Sequence, residues 1–430
     1  MDHRIDRRAL LRAGAAAGLA AGLASAVSAE EKPKPIRLGV IGTGSRGTHL
    51  LALALAAGAE APALCDIDQS HLDRASELVV KTRPGRKPVG YSKGPKDYQR
   101  MLRRDDLEAV IIATPMQLHA AMAIDALRAG KHVLSEVAAA MTLEDCWGLV
   151  RAAEETGKIY MLAENCCYDE HTMMVLNMVR QGLFGELTFA ECGYVHEAPA
   201  LLFQGDGTLT WRGEMVRDYG GNLYPTHALG PVAQWFKINR GDRMERLVAG
   251  ATGQASLSGY VTKRFPAGHP ARQIAFRMPD STTVLIRTAK GALIDLRFDI
   301  CSPRPVVSTT YFSLQGTRAS YESRTGSLWI EGRSKGHSWE PAAACAKQFE
   351  HPLWTRFRQQ AAGSGHGGID FFTVHQFVDS VRRGGPSPID CYDAAAWSSI
   401  IPLSAKSLAE GGKPQEVPDF TRGKWESRKG

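Results

Sequence analysis

The 430-residue sequence predicts an α/β domain on a parallel sheet, followed by a region of antiparallel strands. Three observations predict it. Short apolar runs recur at residues 36–41, 61–65, 107–115, 131–136 and 158–164, too short for helices and free of a helical period, as buried parallel strands are. The first of them stops at glycines with G-x-G-x-x-G spacing. Beyond residue 185 the pattern changes to apolar and polar residues in alternation, at 188–195, 283–301 and 309–316, which is the mark of antiparallel strands with one covered face.

The chain is organised around residues 36–68. After the first strand, Gly42 permits a tight turn, Gly44 lets a pyrophosphate approach the backbone, and Gly47 lets helix and strand pack closely. The anion then rests on the N-terminus of a helix expected from Ser45 to about Gly58. The next strand delivers Asp66 about 20 residues beyond the glycines, where an acid suits a ribose 2′-hydroxyl and repels a 2′-phosphate. The expected cofactor is therefore NAD.

Ahead of this unit, residues 1–29 combine Arg7-Arg8 with an Ala/Gly/Leu run and small-residue ends at 24–26 and 27–29. They read as a secretory signal with a twin-arginine n-region, and a periplasmic or secreted protein exported folded by that machinery is the expectation. The formal charge is +7, and four arginines less two aspartates in residues 1–29 leave +5 for the remainder. That excess is modest, and without an arginine-aromatic ladder or zinc-knuckle spacing nucleic acid is not an expected partner. Eight scattered cysteines form no C-x-x-C pair and read as packing, and no metal ligands are expected.

Residues 69–95 read as a polar helix followed by a loop. The strand at 107–115 then ends in Thr114-Pro115, and ligands of an open α/β sheet bind outside such carboxyl ends. Met116, Gln117, Leu118 and His119 should lie near the nicotinamide half of the cofactor, although His119 reads equally as a helix-start histidine with a structural partner. A helix at 120–129 and a strand follow, the latter placing Glu136 and then Val137 at its end. After a helix at 142–156, the strand at 158–164 runs into Asn165, which faces the same crevice.

Of Tyr194 and His196 on the first alternating strand, one is expected to face a cleft. Residues 218–235, DYGGNLYPTHALGPVAQW, place two glycines, Tyr224, a proline and His227 before an apolar helix, which is material for an active-site loop. Near a helix start the dipole should hold the His227 pKa down, as suits a neutral imidazole acting as a base; capping of the helix is the other reading.

The order GxGxxG, Asp, ATP-x-x-x-H and GKHVLSE resembles the glucose-fructose oxidoreductase and inositol dehydrogenase superfamily. That resemblance implies a Rossmann domain at 36–165, an α+β domain with a mostly antiparallel open sheet at 166–410, and a tail at 411–430. Where those dehydrogenases carry Glu-Lys-Pro, this chain has Glu136-Val137-Ala138, which argues against a standard sugar or polyol dehydrogenase. The blocks EVAAAMTLEDCW, ENCCY, LNMVRQGLFGEL, GGNLYPTHALGP, INRGDR, GSGHGGIDFF and DFTRGKW together resemble glycoside hydrolase family 109, the NAD-dependent α-N-acetylgalactosaminidases, from about residue 36 to 425.

The family resemblance implies a redox-neutral hydrolysis: oxidation at sugar C3, proton removal at C2, loss of the O1 aglycone, addition of water and re-reduction, with NAD retained throughout. It places Ser45 and Arg46 at the pyrophosphate, Asp66 at the adenosine ribose, and Met116 to His119, Glu136, Val137 and Asn165 around the nicotinamide riboside. Tyr194, Arg212, Tyr224 and His227 fall where the family binds sugar, with His227 the expected general base and Tyr224 the second choice. A late tyrosine is also implied, for which Tyr311 and Val306 are competing matches. His366, in a glycine-rich loop, belongs to a segment that the resemblance returns towards the substrate cleft. The superfamily's open sheet often closes an oligomer, so a homo-oligomer is expected. A dehydrogenase that releases reduced cofactor and a non-catalytic sugar-binding protein are the alternative classes.

Overall fold

The computed structural model describes residues 34–305 and 308–429. The signal-like residues and Val306 lie outside them, and none of the described helices is long and apolar enough to cross a membrane.

Residues from Ile36 onward form one compact unit holding two sheets. The first is parallel, with strands β1 (Arg37–Ile41), β2 (Glu60–Cys65), β3 (Val89–Tyr91), β4 (Ala109–Ile112), β5 (His132–Ser135) and β6 (Tyr160–Leu162) in the order 3-2-1-4-5-6. Helices α1 (Ser45–Ala56), α2 (Gln69–Thr82), α3 (Asp97–Leu102), α4 (His119–Arg128) and α5 (Leu143–Thr156) make the crossovers. The central strands are apolar on both faces because both are covered: Val40, Ile111 and Leu134 are fully buried. β3 lies in the segment read from sequence as a loop; it has three residues and buries only Tyr91.

Local chemistry sets the helix ends. Asp68 caps α2 by accepting from the Ser70 and His71 amides, Thr142 caps α5 from the Asp145 amide, and Gly157 closes α5 at φ 62°.

The second sheet has nine strands. β7 (Leu187–His196) lies at its centre, parallel to β10 (Leu293–Asp299) and antiparallel to β11 (Ser308–Gly316), with β9 (Ser281–Thr288) and β8 (Met244–Ala251) beyond β10. One face packs on α8 (Thr226–Trp235), which α6 (Glu170–Arg180) backs, and α7 (Trp211–Asp218) precedes α8 in the chain: Cys192, Leu296 and Val284 are in register across three strands and fully buried, and the Trp235 ring meets Phe312 at 5.7 Å. This is the expected fold, a parallel α/β sheet and a mostly antiparallel one.

The late part of the chain returns to the first sheet. The helix Ile369–Arg383 packs on α1, and Cys391–Ser398 packs on β6 and α5. Past residue 411 the chain is also packed: Gln415–Glu416 pairs with β8, Phe420 lies against Trp147 at 4.7 Å, and Arg422 and Lys424 bond Glu154.

A Cβ on Gly47 would lie 1.8 Å from the Gly42 carbonyl oxygen. Gly47→Ala must therefore push α1 off the turn, and a loss of about 2–3 kcal/mol is expected in denaturant unfolding; an unchanged midpoint would show that this packing does not matter.

Candidate active site

Gly42 has φ +85° and abuts the Ala113 carbonyl, so a side chain fits neither the backbone angle nor the space. Gly44 differs: the nearest atoms to a Cβ there belong to the His71 ring at 3.8 Å, so nothing in the protein fills the approach to its backbone. No side chain caps α1, and Ser45 is exposed, which leaves the first amides of the helix free for an anion. Asp66 sits at the end of β2, accepting from the Thr43 amide at 2.6 Å and from the Asp68 amide at 2.9 Å. The acid braces the turn it follows. A tight turn, an open middle glycine, free helix amides and an acid at the second strand end fit a dinucleotide.

Arg46 is held differently from a free phosphate ligand. Its Nε donates to Glu136 at 2.6 Å, and its two terminal nitrogens donate to Asp370 at 2.7 and 3.1 Å. The Asp370 side chain is fully buried and also accepts from Asn165 at 2.8 Å, while His49 and His366 approach it at 3.0 and 2.7 Å. Burial works against this charge, and the partners more than reverse that, holding the carboxyl well below the usual range. Any phosphate contact by Arg46 falls to its remaining N–H groups. His366 thus stands by the glycine turn, bonded to Asp370.

At the end of β4, Gln117 and Leu118 are exposed at the crevice and Met116 is buried beneath them. His119 departs from the cofactor role assigned to it. It is 1% exposed, and its ring nitrogens lie 2.8 Å from the carbonyls of Ala138 and Thr114. The ring ties the ends of β4 and β5 together and offers no nitrogen to a ligand. Val137 is buried, its amide donating to the Glu136 carboxylate. Asn165 is buried, and with its amide nitrogen on Asp370 its oxygen is left without a hydrogen-bond partner.

His227 begins α8 and pairs, Nδ1 to Oε1 at 2.7 Å, with Glu164, a fully buried carboxylate at the end of β6. Burial opposes protonation of His227, but the Cys166 sulfur and the Glu164 carboxylate facing it outweigh this and raise its pKa well above the ordinary value. The expectation that a helix dipole holds the pKa down is therefore overturned: half a charge at a helix end loses to a full one at hydrogen-bond distance. Burial keeps the Cys166 thiol protonated, so the negative partner is Glu164, which stays below the usual carboxylate range despite its own burial.

Three rings meet here. Tyr194, Tyr224 and His227 have centroids 5.0–5.4 Å apart, the Tyr194 hydroxyl lies 2.8 Å from His196, and burial raises the Tyr224 phenol with Tyr194, Glu136 and Glu164 adding to it. Tyr194 and His196 both face the cleft, because residues two apart on a strand share a face; the expectation of only one was wrong. Arg212 is exposed on α7 over the Trp211 ring; burial lowers the His196 pKa, with the charges of His227 and Arg212 adding to it. Tyr311 does not join them. It pairs with Gly193 and covers it from the opposite face of the sheet, beneath Arg324 at 4.3 Å.

Sequence reasoning missed Glu164, Cys166 and Asp370. The signal for Glu164 was a carboxylate ending the wholly apolar run YMLA; Asp370, 324 residues from Arg46, had no local signal. Asp370→Asn leaves Arg46 and Glu136 with a broken network, and a loss of about 3 kcal/mol is expected in chemical denaturation at neutral pH. The carboxyl contributes fully above its unfolded pKa of about 3.9 and loses its contribution as pH falls towards the lower folded value, so the variant should lack that acid slope.

Residues 168–427 match the model of the glycosyl hydrolase 109 C-terminal domain, and residues 36–164 match that of the oxidoreductase family with an NAD-binding Rossmann fold. The chain is 38% identical to a glycosyl hydrolase family 109 protein of Solibacter usitatus, with 91% of this chain and 90% of that one covered. It is 37% identical to an alpha-N-acetylgalactosaminidase of Tannerella forsythia, over 93% and 90%. Among solved structures, levoglucosan dehydrogenase in complex with NADH has a TM-score of 0.68 at 19% identity, covering 90% of this chain and 100% of that one, a likeness of fold. An inositol dehydrogenase homolog complexed with NAD+ from Azotobacter vinelandii has a TM-score of 0.66 at 19% identity, over 90% and 98%. The chain belongs to glycosyl hydrolase family 109 and is a glycoside hydrolase built on an NAD-binding Rossmann fold.

Proposed function

We propose that this enzyme hydrolyses terminal α-linked N-acetylgalactosamine, with His227 as the general base that takes the proton from sugar C2. The observation that carries the reading is the His227–Glu164 pair, set among Tyr194 and Tyr224, with Glu164 next in the chain to Asn165, whose amide reaches Asp370 and through it Arg46 of the glycine turn. The substrate follows the Tannerella forsythia relative, a named alpha-N-acetylgalactosaminidase. NAD, when bound, supplies reversible oxidation at C3, which acidifies the C2 hydrogen. The Glu164 carboxylate fixes the ring's orientation and stabilises the imidazolium formed when the proton is taken. Tyr194, Tyr224 and Arg212 hold the sugar over the ring, and Tyr224, kept neutral by burial, donates a hydrogen bond. Export by the twin-arginine route, with NAD already bound, belongs to the same reading and rests on residues 1–29.

Purified protein with no added cofactor should release p-nitrophenol from its α-N-acetylgalactosaminide without net accumulation of reduced nicotinamide, and a C2-deuterated substrate should slow that release. No release, with steady reduction of added NAD by free sugars, would favour a dehydrogenase and sink the proposal. His227→Ala should lower turnover at least about 10²-fold; near-normal turnover removes it from the role.

A base with a raised pKa is neutral only at higher pH. The rate should therefore rise along an acid limb above the ordinary histidine value of about 6.5. Glu164→Gln removes the facing charge, and the limb should move to lower pH while turnover drops at least about 10-fold; a limb that stays in place would mean that another group sets it.

A further inference from the structure

We propose that Glu164, Cys166 and His227 form a binding site for a thiophilic divalent cation of the zinc type. Their ligating atoms, a carboxylate oxygen, the thiol sulfur and an imidazole nitrogen, all lie within 4.8 Å of one another. Donors bound tetrahedrally at about 2.0–2.3 Å lie roughly 3.3–3.8 Å apart, so small side-chain rotations close the set. The three donor types are those that zinc accepts, and a thiolate selects against magnesium and calcium. Three protein ligands leave the fourth position for water.

The burial pattern supports the assignment. The Glu164 side chain is fully buried, and its Oε2 makes no hydrogen bond of good geometry, with the Thr226 hydroxyl as a neighbouring donor, so a lone-pair site is desolvated and weakly used. His227 keeps 16% of its side-chain surface and Cys166 is half-buried, which gives the cation a way in from the cleft. Binding displaces two protons to solvent, the thiol proton and the one shared by Nδ1 and Oε1, and the Glu164–metal–His227 link takes the place of the Glu164–His227 hydrogen bond. Cys166 takes up and gives up no proton in the hydrolysis proposed above and enters it only as a neighbour of His227. It is the residue that turns a carboxylate-imidazole pair into a three-donor site, so a cation held there blocks the base; that consequence rests on the role proposed for His227.

The test uses the purified protein with its bound nicotinamide. Addition of Co2+ should produce a thiolate-to-cobalt charge-transfer band that Zn2+ abolishes by displacement, and Zn2+ should inhibit glycoside hydrolysis reversibly, with recovery on addition of EDTA. Cys166→Ser, with Cys166→Ala as the second variant, should lose the band and weaken Zn2+ inhibition at least about 100-fold, each variant being compared with its own rate in EDTA. Absence of the band in the parent protein, or a band of equal strength in both Cys166 variants, overturns the site. A Cys166-dependent band without inhibition supports the site and rejects the block on His227.

Discussion

A single buried carboxylate, Asp370, ties the dinucleotide turn to the rest of the molecule. It accepts both terminal nitrogens of Arg46 from the first turn of α1 and the side-chain amide of Asn165 from the end of β6, with His49 and His366 at its remaining edge. A charge with no exposed surface is tolerated only when such partners surround it. Because the partners come from three places in the chain, satisfying one carboxylate fixes the relative positions of the glycine turn, the sixth strand end and the late helix. Asn165 and Glu164 are neighbours, so the same constraint extends to the base.

His227 illustrates how local and tertiary fields compete. From sequence, the helix start was the only charge near it, and that argued for a weakly basic ring. The folded chain brings a full carboxylate to 2.7 Å, and the direction reverses. The outcome suits catalysis no less well: a stronger base removes a carbon-bound proton more readily, provided the pH leaves it neutral.

What was legible in the sequence was what depends on near neighbours. The glycine spacing, the apolar strands and the acid after β2 each show as a sequence pattern within some 20 residues, and each stands where it was expected. The loop holding Tyr224 and His227 was readable because glycines and a proline before an apolar helix make a poor core. The failures have physical causes. β3 is too short and too exposed for a periodic signal. Tyr311 was sought for its chemistry, but its side of the sheet is set by pairing with Gly193, more than 100 residues earlier. His119 carries two equal readings from sequence, a ligand contact or a structural partner at a helix start, and two backbone carbonyls decide for the second.

The packing of residues 415–424 on both sheets bears on how the molecule is made. Residues 415–416 extend the second sheet while Phe420, Arg422 and Lys424 rest on α5 of the first, and the partner that Arg46 needs is synthesised 324 residues after it. During synthesis the parallel sheet can assemble early, but its glycine turn is not fully braced until Asp370 has emerged. Such long-range closure slows folding and leaves partly formed surfaces exposed to other chains. A ribosome-bound chain that has not yet exposed Asp370 is accordingly a body with a formed sheet and an unfinished cofactor cradle.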